Sequence, residues 1–109
     1  MTQLLKMEGY VITALKKSDW RQAKSYTTQI LQHACDSAKH TAFHIEALIG
    51  VKPYDMTEPI RYCQSVQERF ITSPQFLFWR GRVLLYHGGQ EVNGKKYLKA
   101  ALDNDPDNV

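Results

Sequence analysis

Long apolar runs and a concentration of one charge sign are both missing from this 109-residue chain. No apolar run approaches the ~18 residues of a membrane-spanning helix, and the N-terminus lacks the basic and apolar regions of a signal peptide. The sequence therefore predicts a protein of the cytoplasm or nucleus with no membrane partner.

The formal net charge is only +3, and Lys and Arg are spread along the chain. Because nucleic-acid binders concentrate basic residues in a patch, no nucleic-acid partner is expected.

Cysteine is scarce too, with only Cys35 and Cys63 present. In a cytosolic chain this predicts two reduced, buried thiols, with a disulfide as the alternative. His40 and His44 share a helix face, but a zinc site needs three or four ligands, and the chain has no Cys-x2-Cys or His-Glu-x2-His. It also has no Gly-rich phosphate loop and no local signature of a nucleophilic site. We therefore expect no metal, no cofactor, no catalytic residue and no enzymatic activity.

The composition is that of one globular domain spanning residues 1–109, with 43% hydrophobic and 23% charged residues. Helical periodicity dominates from the start, where apolar side chains recur every three or four residues. The first such face consists of Met7, Tyr10, Val11 and Ala14. Asp19 then precedes a second amphipathic stretch and is predicted to be its N-cap.

Four more helices follow, and no stretch predicts a strand. The third helix is expected to end before Pro53. Asp55 and Glu58 have the spacing of a capping box for a fourth helix that continues to Phe70. Ser73-Pro74 opens the fifth helix, which Gly88-Gly89 should end. The sixth runs from about Glu91 to Leu102, ahead of Asp105-Pro106.

The six predicted helices repeat as pairs. The second helices of the three pairs align with one another at Ala23, Pro59 and Gly94. The first two of these residues are 36 positions apart, and the last two are 35 apart. The first helices align at a small or modest residue, namely Val11, Ala47 and Gly81. A period in the mid-thirties with two helices per unit is typical of a helical solenoid.

The third unit resembles a tetratricopeptide (TPR) repeat. It reads Leu77-x2-Arg80-Gly81-x2-Leu84, then Gly94-x3-Leu98-x2-Ala101-Leu102, then Asp105-Pro106-Asp107-Asn108. The first unit adds Asp19-Trp20-Arg21-Gln22-Ala23, whereas the second departs from the pattern at Glu46 and Pro59. The resemblance implies an all-α, right-handed helical solenoid of three TPR-like helix-turn-helix repeats, at about residues 4–36, 37–73 and 74–108.

The order of these features is similar to the middle repeats of eukaryotic TPR-containing J-domain (DnaJ/Hsp40) co-chaperones, whose arrays hold Hsp70 and Hsp90. The similarity includes the stretch Phe78-Trp79-Arg80-Gly81-Arg82-Val83-Leu84-Leu85-Tyr86. The His-Pro-Asp tripeptide of a J domain is absent, and no polar capping helix follows the last unit, so we expect a piece excised from a longer chain. The resemblance implies a protein–protein interaction module that helps hold or orient Hsp70/Hsp90 clients or partners.

In TPR stacks the first helices line a concave groove for a protein or peptide partner. The resemblance assigns seven residues to that groove: His44, Leu48, Lys52, Phe78, Trp79, Arg82 and Tyr86. For Phe78 and Trp79 the alternative is a packing role. The positions that match the family's two-carboxylate clamp are Glu8, Ile12, Ile45, Gln75 and Trp79. None supplies a cationic donor, so that clamp is not expected here.

Three other functions remain open from the sequence. The chain could be a TPR scaffold of another multiprotein assembly. It could be a ligand-free spacer between flanking repeats, which predicts exposed apolar surface at its ends and self-association of the isolated piece. It could be a small helical enzyme, which would require a cluster of polar residues in a pocket.

Overall fold

A computed structural model describes residues 2–86 and 91–104. Within these residues the chain forms six α-helices and one 3-10 turn, and no strand. The elements are α1 (Thr2–Lys16), α2 (Trp20–His33), α3 (Ala38–Val51), α4 (Thr57–Val66), the 3-10 turn (Gln67–Phe70), α5 (Pro74–Tyr86) and α6 (Glu91–Asn104). The prediction of an all-helical chain is confirmed.

Local signals place several helix ends as predicted. Asp19 is the N-cap of α2, and its Oδ1 accepts a hydrogen bond from the backbone N–H of Gln22 at 3.4 Å. Helix α3 ends at Val51, two residues ahead of Pro53. At the start of α5, the hydroxyl of Ser73 accepts from the N–H of Phe76 at 3.4 Å.

The capping box predicted for the fourth helix is wrong. Met56 is the N-cap of α4, and Asp55 lies one residue outside it, where its Oδ1 accepts from the N–H of Thr57 at 2.9 Å. Glu58 instead pairs with Lys24 of α2, with 3.0 Å between Oε1 and Nζ. A partner on a neighbouring helix has replaced the local hydrogen bond.

The fourth helix also changes geometry earlier than predicted. Its α-helical part ends at Val66, and the next turn, which ends at Phe70, is a 3-10 turn. The predicted helix stop at Gly88-Gly89 and the turn at Asp105-Pro106 lie outside the described residues.

Consecutive helices pack against each other along the chain, and α3 also packs against α5. The aligned small positions are buried in each pair: Val11, Ala47 and Gly81 on the first helices, Ala23, Pro59 and Gly94 on the second. Helices α5 and α6 approach each other closely, since a Cβ on Gly81 would lie 2.8 Å from the carbonyl oxygen of Gly94. Only glycine allows the two backbones to meet at this distance.

The larger core lies among α3, α4, α5 and α6 and includes Ile45, Phe70 and Phe76. Cys63 is buried in this core, whereas Cys35 is exposed in the turn between α2 and α3. The two thiols are free, so the predicted burial is wrong for Cys35. Among the described helices, none combines the length and apolar character needed to cross a bilayer.

Candidate partner-binding face

Helix α5 divides its side chains between two opposite faces. Leu77, Arg80 and Leu84 recur at helical spacing and are buried. The opposite face carries four of the predicted groove residues: Phe78, Trp79, Arg82 and Tyr86. Phe78, Trp79 and Arg82 are half-buried and Tyr86 is exposed, so this face remains open to a partner.

In this group of four, the three aromatic side chains lie around the cationic side chain of Arg82. The guanidinium carbon of Arg82 lies 4.9 Å from the centre of the Trp79 ring, and 5.6 Å from the ring centres of Phe78 and Tyr86. Arg82 also donates from Nη2 to the hydroxyl of Tyr86. Phe78 and Trp79 meet edge to face, with 5.5 Å between ring centroids. These contacts hold the cation and rings in place before any partner arrives.

A groove of about 340 Å³ lies beside this cluster, between α3 and α5. Its lining comprises Lys39, Ala42, Phe43 and Glu46 from α3, and Pro74, Gln75, Phe78 and Trp79 from α5. Glu46 provides a carboxylate in this largely apolar groove. Burial raises the pKa of Glu46, an effect that the nearby charge of Arg82 opposes.

His44 does not belong to this surface, and its assignment to the groove is wrong. Its side chain is only 8% exposed, with Nδ1 2.7 Å from the hydroxyl of Thr27 and the ring edge-to-face with Tyr62. The Thr27 hydroxyl also lies 3.0 Å from the carbonyl oxygens of Ala23 and Lys24, and when it donates its one proton to either of them it accepts from Nδ1–H of His44. His44 therefore joins α3 to α2 as a neutral core residue.

Leu48 is also misassigned, since it is 3% exposed. Lys52 is exposed at the C-cap of α3 but does not line the described part of the groove. His44 and Leu48 are buried because α3 packs against three helices, α2, α4 and α5, so most of the surface of α3 faces the core. Sequence reasoning missed Phe43 and Glu46 as groove residues, although their spacing of three from each other places them on one helix face.

Two of the clamp positions have other roles. Glu8 contacts Lys39 through one carboxylate oxygen and His40 through the other, at 3.2 Å from His40 Nε2. Ile45 is fully buried.

No three His, Cys, Asp or Glu side chains come together as a potential metal site in the part of the chain that the structure describes. In comparisons with known proteins, the chain matches no family model, no curated protein and no solved structure.

Proposed function

We propose that this chain is a protein–protein interaction module made of TPR-type helical pairs, and that it serves in a DnaJ/Hsp40-type co-chaperone. Its partner segment binds across the face between α3 and α5. The observation that carries this proposal is the pre-ordered cluster of Arg82 with three aromatic rings beside an apolar groove. The co-chaperone context rests on the sequence resemblance alone.

The repeat architecture is supported by burial at the aligned positions of all three pairs. Each first helix buries its small residue, at Val11, Ala47 and Gly81. On each second helix, the residue seven positions after the aligned residue is buried too. These residues are Ile30, Val66 and Ala101. A common packing register is what stacked helical hairpins require.

The chemistry of the face indicates what a partner must offer. An apolar or aromatic side chain would fill the groove between Phe43 and Phe78, and an acceptor would meet the guanidinium of Arg82. A donor on the partner would meet Glu46, whose carboxylate is half-buried. Trp, Tyr and Arg are the residues that most often dominate the energy of protein interfaces.

A peptide-display selection against the whole chain tests this proposal. We expect the enriched peptides to lose about tenfold or more in affinity for the double variant Trp79→Ala/Arg82→Ala, because anchor residues typically contribute 2 kcal/mol or more. The matched control is Tyr54→Ala, which removes an aromatic ring that is 99% exposed outside this face. The double variant must keep the helicity of the parent by circular dichroism. Undiminished binding to it would reject this face as the site.

Calorimetric titration with Hsp70 and Hsp90 C-terminal peptides, free and amidated, tests the clamp separately. We expect no binding, since Glu8 is engaged with Lys39 and Ile45 is buried. Micromolar binding that amidation abolishes would contradict this expectation and would make Lys52 and Arg82 the first residues to mutate.

A spacer between flanking repeats is the second candidate, and exposed apolar side chains favour it. Leu5 and Tyr10 on α1 are exposed, as are Val92 and Leu102 on α6. Such side chains on both outer helices are suited to packing against further protein. Sedimentation of the isolated chain would show concentration-dependent self-association, and replacing Leu5 and Val92 by Ser would reduce it. A strict monomer at high concentration would speak against the spacer.

A further inference from the structure

A second cavity, of about 620 Å³, lies among α4, the 3-10 turn, α5 and α6. It shares no described lining residue with the groove between α3 and α5. Its side of α5 is the face of Leu77, Arg80 and Leu84, opposite the aromatic cluster. Its volume falls within the range of about 300–1,000 Å³ that is usual for small-molecule sites.

Arg80 in the wall of this cavity is a buried cation with incomplete hydrogen bonding. It is 6% exposed, and its Nε and Nη1 make no hydrogen bond of ordinary geometry among the described residues. The guanidinium also lies beside the Cys63 thiol, where its charge and hydrogen bonding partly oppose the rise in the thiol pKa that burial causes. Its guanidinium carbon lies 5.5 Å from the centre of the Tyr97 ring. A guanidinium stays charged at any ordinary pH, and leaving its donors unpaired in the interior is costly. An anion that reached these donors from the adjoining cavity would remove that cost.

The other walls suit a ligand with one charged end. Lys96 adds a second cation, and none of the described lining residues is acidic. Gln67 donates from Nε2 to the hydroxyl of Tyr97 at 2.9 Å. The hydroxyl oxygen is the acceptor in this hydrogen bond, so the hydroxyl can donate its own proton to another group. The remaining lining is mainly aliphatic and includes Ile60 and Leu77.

We propose that this cavity binds an amphipathic organic anion. Arg80 and Lys96 hold its carboxylate or phosphate head, and its apolar tail lies along the aliphatic wall. Because Nε and Nη1 of Arg80 are covered by protein atoms, the proposal requires the guanidinium or the Tyr97 ring to turn toward the cavity on binding. The site goes beyond the proposed function, since it uses the other face of α5.

Calorimetric titration of the whole chain at constant ionic strength tests the ligand class. The probes are hexanoate and hexyl phosphate, with hexanol and inorganic phosphate as controls. We expect at least one of the two amphipathic anions to bind about tenfold or more tightly than both controls, since only these probes combine charge-assisted hydrogen bonds with apolar contacts. The ranking of the two identifies the preferred head group. Equal binding of hexanol, equal binding of inorganic phosphate, or no binding of either amphipathic anion would overturn the proposal.

Substitutions test the two cations. Arg80→Met should reduce the affinity about tenfold or more while leaving the melting temperature unchanged or higher, because it removes a buried charge with unpaired donors. Lys96→Gln should weaken binding by about threefold. The matched control is Lys95→Gln, which changes an exposed lysine of α6 that is not among the described lining residues. If Arg80→Met does not fold, the comparison of Lys96→Gln with Lys95→Gln decides. Equal affinities for Lys96→Gln, Lys95→Gln and the parent would overturn the assignment.

Discussion

At the scale of single residues, His44 carries the clearest consequence of burial. Burial, followed by the charge of Lys24, lowers its pKa from 6.5 to about 4, and the charge of Glu58 opposes this shift. The folded chain therefore holds the ring neutral at pH 7, with Nδ1 hydrogen-bonded to the hydroxyl of Thr27. Because the pKa is lower in the folded chain than in the unfolded chain, protonation favours unfolding.

The free energy of unfolding should consequently fall as the pH drops from 6.5 toward 4. A shift of this size corresponds to a loss of about 2–3 kcal/mol between pH 7 and pH 4.5. Urea unfolding at these two pH values checks the loss, which His44→Gln should largely remove. His33→Gln is the control, since His33 is exposed at the end of α2. The same pH dependence in both variants would refute the assignment to His44.

At the scale of elements, α3 accommodates α2 through a glycine near its C-terminal end. A Cβ on Gly50 would lie 2.1 Å from Cδ2 of Trp20, so the indole packs directly on the backbone of α3. Gly9, by contrast, has nothing within 4 Å of the Cβ position on α1. Packing against Trp20 therefore requires glycine at position 50. At position 9 no contact requires glycine, so only its intrinsic cost to the helix applies there.

Gly50→Ala should lower the free energy of unfolding by about 1–3 kcal/mol, because the methyl group overpacks the contact with Trp20. Gly9→Ala should raise it by up to about 1 kcal/mol, because alanine favours the helix and meets no neighbour. Chemical denaturation of both variants measures the two effects. A neutral Gly50→Ala would mean that the indole can move aside without loss of packing.

At the scale of the whole molecule, polar contacts connect helices that are not consecutive. Glu8 of α1 reaches Lys39 and His40 of α3. The hydrogen bond from Lys39 contributes most to lowering the pKa of Glu8, so this link is complete above pH 4.5 and is lost as Glu8 becomes protonated at lower pH.

Glu8→Gln should lower the free energy of unfolding by up to about 1 kcal/mol at neutral pH and low salt, the usual range for a solvent-accessible ion pair. The effect should shrink in 1 M NaCl, which screens the ion pair, and at low pH, as Glu8 becomes protonated. Glu68→Gln, at an exposed acid of the 3-10 turn, serves as the control. An equal loss at all salt concentrations would show that packing, not charge, makes the contact.

The residues predicted for the groove are open on α5 and mostly buried on α3. On α5 the TPR resemblance chose Phe78, Trp79, Arg82 and Tyr86, which lie on the face opposite buried Leu77 and Leu84. On α3 the same reasoning chose His44 and Leu48, which are buried, and missed Glu46. Which side of α3 remains open depends on three neighbouring helices, and periodicity within one helix does not report their positions.

The helical class, and the helix ends whose signals are local, follow from the amino-acid sequence without knowledge of the packing. Asp19 caps α2 and Pro53 follows the end of α3 because the interacting groups lie within four residues of each other. The pairing of Glu58 with Lys24, the hydrogen bond between His44 and Thr27, and the burial of the Arg80 guanidinium beside a cavity depend instead on how the helices pack. Each of these contacts joins residues on different helices, so its energy exists only after the helices have packed.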